Sequence, residues 1–217
     1  MKYNMICIDM DGTLLGKRKR ISERNKNAIK QAHDKGIEIV VTTGRLYNNA
    51  AYFSKLLGVD SPVIAANGAI VIDQKNNEVI YECGIPKDEC IKILKILIKY
   101  NSFFQFNTRN MIYCNNWITK TATKSYMTKQ HFFEHLQVEY VKSQECWINI
   151  FNKEEVDKSI VFTPLKSTMI KIKDEINKLN SVDCFASGDH SLEINYKDVS
   201  KGNAIKSLLD KYKIKEE

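Results

Sequence analysis

The sequence predicts an α/β fold, a parallel sheet interrupted by an inserted α+β segment. Three observations carry this. Short β-branched strands alternate with amphipathic helices over the first 73 residues, each strand closing on polar residues and glycine. The alternation lapses after Cys83. A single helix pattern returns at the end of the chain.

The opening "YNMICIDM" reads as a buried strand bounded by a turn at "DGT". "ISERNKNAIKQAHDKGI" predicts a helix, with Ser22 as N-cap, Ala28, Ile29 and Ala32 on the apolar side, and Gly36 as its stop. "IEIVVTTGR" is a second strand, "LYNNAAYFSKLLGV" a second helix closed by Gly58, and "SPVIAANGAIVID" a third strand breaking at Asn67-Gly68. Strand–helix–strand–helix–strand with short loops implies parallel strands joined by right-handed crossovers. Ligands of such sheets sit at the carboxyl ends of the strands. Here those ends carry Asp9 and Asp11, then Thr43, Gly44 and Arg45, then Asn67 and Gly68.

Beyond Cys83, "IPKDECIKILKILIKY" predicts a helix with Ile91, Leu94 and Ile98 at helical spacing. "FFQFNTRNMIYCNN" alternates and turns like a hairpin, so half of its aromatics belong in a core. "TATKSYMTKQHFFEHL" and "KSTMIKIKDEINKLN" read as helices, "SIVFTPL" runs into a turn, and "SVDCFASGDHSLEINYK" gives two strands around Gly188-Asp189. "SKGNAIKSLLDKYKI" is the closing helix. The expected division is a core of residues 1–82 and 198–217 and an α+β insert of 83–197.

At 217 residues, 43% apolar and 27% charged, the chain has the composition of an ordinary globular protein. A net charge of +7 allows attraction to anions without choosing among them. No run is long enough to span a membrane, and no leader is evident, so the expectation is a cytoplasmic protein. The six cysteines are scattered without zinc spacing and read as reduced thiols. "KRKR" at 17–20 reads as a solvated loop rather than a nucleic-acid site, and His131/His135, though i, i+4, have no third ligand at zincin spacing.

Asp9 and Asp11 flank one residue, so in extended chain their side chains share a face. Two adjacent like charges are tolerated where a cation or a reacting group needs both. Gly12 lets the backbone leave the strand sharply.

"DMDGTLL", "TTGR", "AANGA" and "VSKGNAIKSL", in that order, resemble the motifs of the haloacid dehalogenase superfamily, in its Cof-like phosphatases (subclass IIB), across essentially the whole chain. The resemblance implies a Rossmann-like core under a cap domain. It implies Asp9 as nucleophile forming an aspartyl-phosphate, and Asp11 as general acid and then base. Mg²⁺ would be held by the Asp9 carboxylate and the Asp11 main-chain carbonyl. Gly12, Thr13, Thr43, Gly44 and Lys201 would bind phosphate, with Arg45 and Asn67 at the substrate rim. The family's fourth motif, an acidic GDxxND loop, does not follow Lys201, after which sixteen residues remain. Asp189 and Asp198 are poor stand-ins by position, and Asp210 reads as solvated. The expectation is therefore a core lacking its C-terminal strands, with a weakened Mg²⁺ site and "MICIDM" as a bare edge strand, marginally stable or paired with a second copy.

The leading function is an Mg²⁺-dependent phosphatase acting on a small phosphorylated metabolite such as a sugar phosphate. The alternatives are a non-catalytic phosphate- or ligand-binding remnant and a phosphomutase. Neither nucleic acid nor membrane is an expected partner.

Overall fold

The computed structural model describes residues 3–16, 19–129 and 137–215. It divides into two compact units, Met1–Glu82 with Ser200–Glu217, and Cys83–Val199. The second boundary falls after Val199 rather than after residue 197. The Asp198 N–H donates to Asp183 and the Val199 N–H to Tyr196, tying both residues to the second unit.

The first unit is built on a five-stranded sheet ordered β1-β2-β3-β4-β5: β1 Met5–Asp9, β2 Glu38–Thr42, β3 Val63–Ala65, β4 Ile70–Asp73 and β5 Glu78–Glu82. Helix α1 (Glu23–Asp34) joins β1 to β2 and α2 (Tyr47–Lys55) joins β2 to β3, so β1, β2 and β3 are parallel. Ser22 caps α1 by accepting the Asn25 N–H at 3.1 Å, as the sequence predicts. Gly36 and Gly58, at φ +79 and +71, adopt the left-handed backbone that ends these helical stretches.

The expected third strand is in fact two. Ala66 and Asn67 take positive φ (49 and 65) in a tight turn over Ala66–Gly68, and the chain reverses into β4, antiparallel to β3. β5 then adds a second antiparallel strand. The first three strands are parallel as expected, and β4 and β5 extend the sheet antiparallel. Helix α7 (Lys201–Tyr212) covers one face, with Ala204 and Leu208 packing among Val40, Ile64 and Val71.

β1 is an edge strand. The Glu38 N–H donates to the Asn4 carbonyl and the Met10 N–H to the Thr42 carbonyl. This parallel ladder turns the N–H and C=O of Met5 and Cys7 away from β2.

The second unit holds a six-stranded sheet ordered β10-β11-β9-β6-β7-β8. The strands are β6 Phe103–Thr108, β7 Met111–Cys114, β8 Gln137–Tyr140, β9 Val156–Phe162, β10 Val182–Gly188 and β11 Ser191–Tyr196, antiparallel except for β7–β8. Phe104, Phe106, Val161, Leu192 and Ile194 form a core with α3 (Lys87–Lys99), α5 (Gln144–Phe151) and α6 (Lys166–Asn177). Helix α4 (Trp117–Lys129) lies beside β6, β7 and β8. The buried stripe of α3 is Cys90, Ile93, Leu94 and Leu97, whereas Ile98, expected inside, is 48% exposed. Both stripes have helical spacing, and the direction of the facing sheet chose between them. β8 and α5 were not foreseen, and His131 and His135 lie outside the described residues.

Candidate active site

The carboxyl ends of β1 and β2 and the start of α7 gather the charged side chains of the first unit. Asp9, the last residue of β1, is half-exposed and ion-paired through Oδ1 with the Nζ of Lys201, 192 residues later in the chain. Lys201 is the first residue of α7, and Ser200 caps that helix by accepting the Asn203 N–H at 3.1 Å.

Gly68 brings the turn after β3 up against this helix start. A Cβ on Gly68 would lie 2.3 Å from the Ser200 carbonyl oxygen, a collision with backbone, and its φ of +106 suits glycine. A turn signal in the sequence is therefore also a close approach that helps fix where Lys201 begins.

Asp11 is held by two cations. Arg45 grips it with a two-point fork, Nε to Oδ2 and Nη2 to Oδ1, both at 2.7 Å, and Lys19 Nζ reaches Oδ1 at 2.6 Å. Arg45 is itself oriented by Asn49, which accepts from Nη1 at 3.1 Å, and its guanidinium carbon lies 5.4 Å from the centre of the Phe53 ring. The Arg45 fork chiefly, with Lys19 adding, holds the Asp11 carboxyl down at about 2 against an opposing push from partial burial. Lys19 stays exposed, as the reading of "KRKR" as a solvated loop expects, and is also ion-paired with Asp11. The Lys19 N–H donates to the Gly16 carbonyl and the Gly16 N–H to the Arg20 carbonyl. Nothing in the local pattern announces the ion pair.

The β2–α2 turn supplies the next group. Thr43 is buried, and its hydroxyl accepts the Arg45 N–H at 3.1 Å while its carbonyl accepts the Asn67 N–H at 3.1 Å. The Ala66 N–H donates to the Arg45 carbonyl at 2.7 Å, so the turns after β2 and β3 are laced together. A Cβ on Gly44 would meet the side-chain oxygen of Asn67 at 2.5 Å, so a larger residue there would displace that amide. Gly12 (φ +82) and Thr13 form the exposed turn after β1, where the Leu14 N–H donates to the Asp9 carbonyl at 3.0 Å.

Every residue expected at the site thus lies in the first unit. The described geometry links Asp9 to Lys201, Asp11 to Arg45, and Thr43 and Gly44 to Asn67. Asp189 sits in the β10–β11 turn and Asp198 is bonded to Asp183, both in the second unit, and Asp210 is exposed on α7.

No group of three or more metal-capable side chains occurs among the described residues. Two oxygens nevertheless suit a hard cation. Asp9 Oδ2 and the Asp11 main-chain carbonyl accept no hydrogen bond from any described residue, while the other Asp9 oxygen and the Asp11 carboxylate are taken.

The family that the chain matches and its named phosphatase relatives define the class as a hydrolase of phosphate esters. The chain belongs to the haloacid dehalogenase-like hydrolase family, whose model matches residues 6–217. It is 29% identical over 220 residues to phosphatase YwpJ of Bacillus subtilis, covering 94% of this chain and 77% of that one. It is 28% identical over 228 residues to the B. subtilis 5-amino-6-(5-phospho-D-ribitylamino)uracil phosphatase YwtE, with 96% and 77% covered. Among solved structures, a haloacid dehalogenase-like hydrolase from B. subtilis superposes with a TM-score of 0.81 at 24% identity, over 98% of this chain and 80% of that one. A subclass IIB sugar phosphatase superposes at 0.75 and 22% identity, over 98% and 77%. The fold is that of subclass IIB.

Proposed function

We propose that the chain hydrolyses the phosphoester of a small phosphorylated metabolite, with Asp9 as the nucleophile. The observation that carries this reading is the pairing of Lys201 with Asp9 across 192 residues of sequence. A lysine there would neutralise charge building on a phosphoryl group attacked by Asp9. Attack by Asp9 forms an aspartyl-phosphate and releases the alcohol; water then cleaves that intermediate to free Asp9 and inorganic phosphate.

Asp11 serves both halves, protonating the leaving oxygen and then activating water. Gripped by Arg45 it is a carboxylate, ready as base. Its turn as acid requires the Arg45 fork to loosen. Thr43 and the amides of Gly12 and Gly44, with Thr13, cradle the phosphoryl oxygens, and Asn67 and Arg45 border the substrate. Mg²⁺ would be held by Asp9 and the Asp11 carbonyl, and when bound it offsets the charge of the phosphoryl group.

The second unit, on this proposal, is the cap that decides which ester is accepted. Sugar phosphates and ribitylamino-uracil phosphates, the substrates in the names of its relatives, are the first compounds to try. The test is hydrolysis of p-nitrophenyl phosphate with Mg²⁺ and with chelator, beside Asp9→Asn. Turnover that survives in Asp9→Asn would sink the nucleophile assignment.

One observation favours a second reading, a phosphate-binding protein without turnover. Lys19, Arg45 and Lys201 place three positive charges against two carboxylates. Saturable binding of inorganic phosphate with no hydrolysis of any ester would select it.

A further inference from the structure

Between β1 and α1, one lysine holds a strained backbone conformation. Lys19 has a φ of +53, in the left-handed region that glycine takes freely and an L side chain does not. Its N–H donates to the Gly16 carbonyl at 2.9 Å, and the Gly16 N–H donates to the Arg20 carbonyl at 3.1 Å. In a tight turn closed this way, the left-handed position ordinarily falls to glycine. Leu15 and Ile21 are buried on either side and anchor the turn. Backbone strain of this kind collects at functional sites, where a side chain must be held in one place.

The side chain accounts for the strain. Lys19 Nζ donates to Asp11 Oδ1 at 2.6 Å, its one hydrogen bond among the described residues. Arg45 reaches the same oxygen through Nη2 and the other, Oδ2, through Nε, both at 2.7 Å. Oδ1 therefore accepts from two cations and Oδ2 from one. The cations are not equivalent. The Arg45 side chain is 14% exposed, oriented by Asn49 and packed over Phe53, whereas that of Lys19 is 42% exposed.

We propose that Lys19 is a positioning residue for Asp11, holding Oδ1 so that Oδ2 is the oxygen that gives and takes the proton. The proposal rests on the roles proposed for Asp9 and Asp11 and deepens them. Asp11 exchanges a proton through Oδ2 only once the Arg45 Nε lets go of that oxygen. The carboxyl group would then turn about its single contact with Nη2, and Lys19 supplies the second hold. In the first half, Oδ2 passes its proton to the leaving alcohol oxygen as the ester P–O bond breaks and the Asp9 O–P bond forms. In the second, the attacking water returns a proton to Oδ2 as its oxygen bonds to phosphorus and the Asp9 O–P bond breaks. Misplacing a reacting group can cost ~100-fold in rate, so partial loss of one hold predicts an effect of about tenfold.

Lys19→Gly is the decisive variant, because it relieves the backbone while removing the ammonium group. With p-nitrophenyl phosphate and Mg²⁺, kcat should fall about tenfold and KM should stay within about twofold. The thermal midpoint should hold or rise, since glycine suits the turn. Lys19→Arg, which keeps a cation, should retain kcat within about threefold of the parent. In an Asp11→Asn protein, Lys19→Gly should change the remaining kcat by less than about twofold, because the lysine acts through that carboxyl group. Asp9→Asn, measured alongside, keeps the two proposals separable. Turnover that needs Asp9 but is undiminished in Lys19→Gly would overturn this inference and leave the nucleophile standing. A raised KM at unchanged kcat would make Lys19 a substrate ligand, and a kcat loss with a lowered midpoint would make it structural; either overturns the inference. Turnover indifferent to Asp9→Asn, or none in the parent, would overturn both proposals.

Discussion

The two units arrange their polar groups in opposite ways. In the first, the charged side chains gather beyond the ends of parallel strands, where turns can present backbone amides and charged groups together. Asp9, Asp11, Thr43 and Arg45 all sit at such ends. In the second, the strands are mostly antiparallel, and polar groups such as Gln105 and Glu193 stand on the sheet's face among apolar neighbours. The first arrangement concentrates charge, and the second dilutes it. Binding of an anion suits the former.

The sharpest way to break this contrast is Asp9→Asn. If the first unit carries the chemistry, turnover should fall by a factor of about 10³ or more, because an amide cannot act as the nucleophile. The thermal midpoint should stay within a few degrees, since Asp9 is half-exposed. Activity assays and calorimetry check both halves.

The second unit should respond oppositely. Phe106 is fully buried, with ring centroids 5.3 Å from Trp147 and 4.9 Å from Phe151. Phe106→Ala should cost about 3–5 kcal/mol by opening a cavity in that cluster, read from urea unfolding.

Hydrogen exchange should separate an edge from a sheet centre. The amides of Met5 and Cys7 face away from β2, whereas β9 lies between β11 and β6. Exchange at Met5 and Cys7 should be on the order of 100-fold faster than at Val161. Equal protection would mean that another chain pairs with β1 in solution.

The smallest effect concerns Arg45. Arg45→Met removes the main cause of the low Asp11 pKa, so the carboxyl should rise from about 2 toward its ordinary value near ~4. A depressed folded pKa stabilises above the unfolded value and loses that contribution as pH falls through about 2. In Arg45→Met this acid-side dependence should largely vanish, though it is small because Asp11 is partly exposed. Carboxyl NMR titration of the metal-free protein would show it.

What the sequence determined by itself is the gathering of charged and small polar residues at the first unit's strand ends and its parallel frame. Consecutive residues gather at a strand end, so DxDGT and TTGR each carry their geometry in a few adjacent positions, and the helix caps Ser22 and Ser200 are equally local. The tertiary structure decided whatever depends on register and long-range approach. Positive φ at Ala66 and Asn67 turned one expected strand into two, and Gly68 brought its turn against Ser200. Lys19 met Asp11 eight residues earlier in the chain, and α3 chose between two apolar stripes according to the sheet it faces. A cavity in the second unit draws on α4 and on strands β6, β9, β10 and β11, so no single stretch of chain contains it. Local spacing encodes turns and faces, whereas pairing between distant strands sets which faces meet.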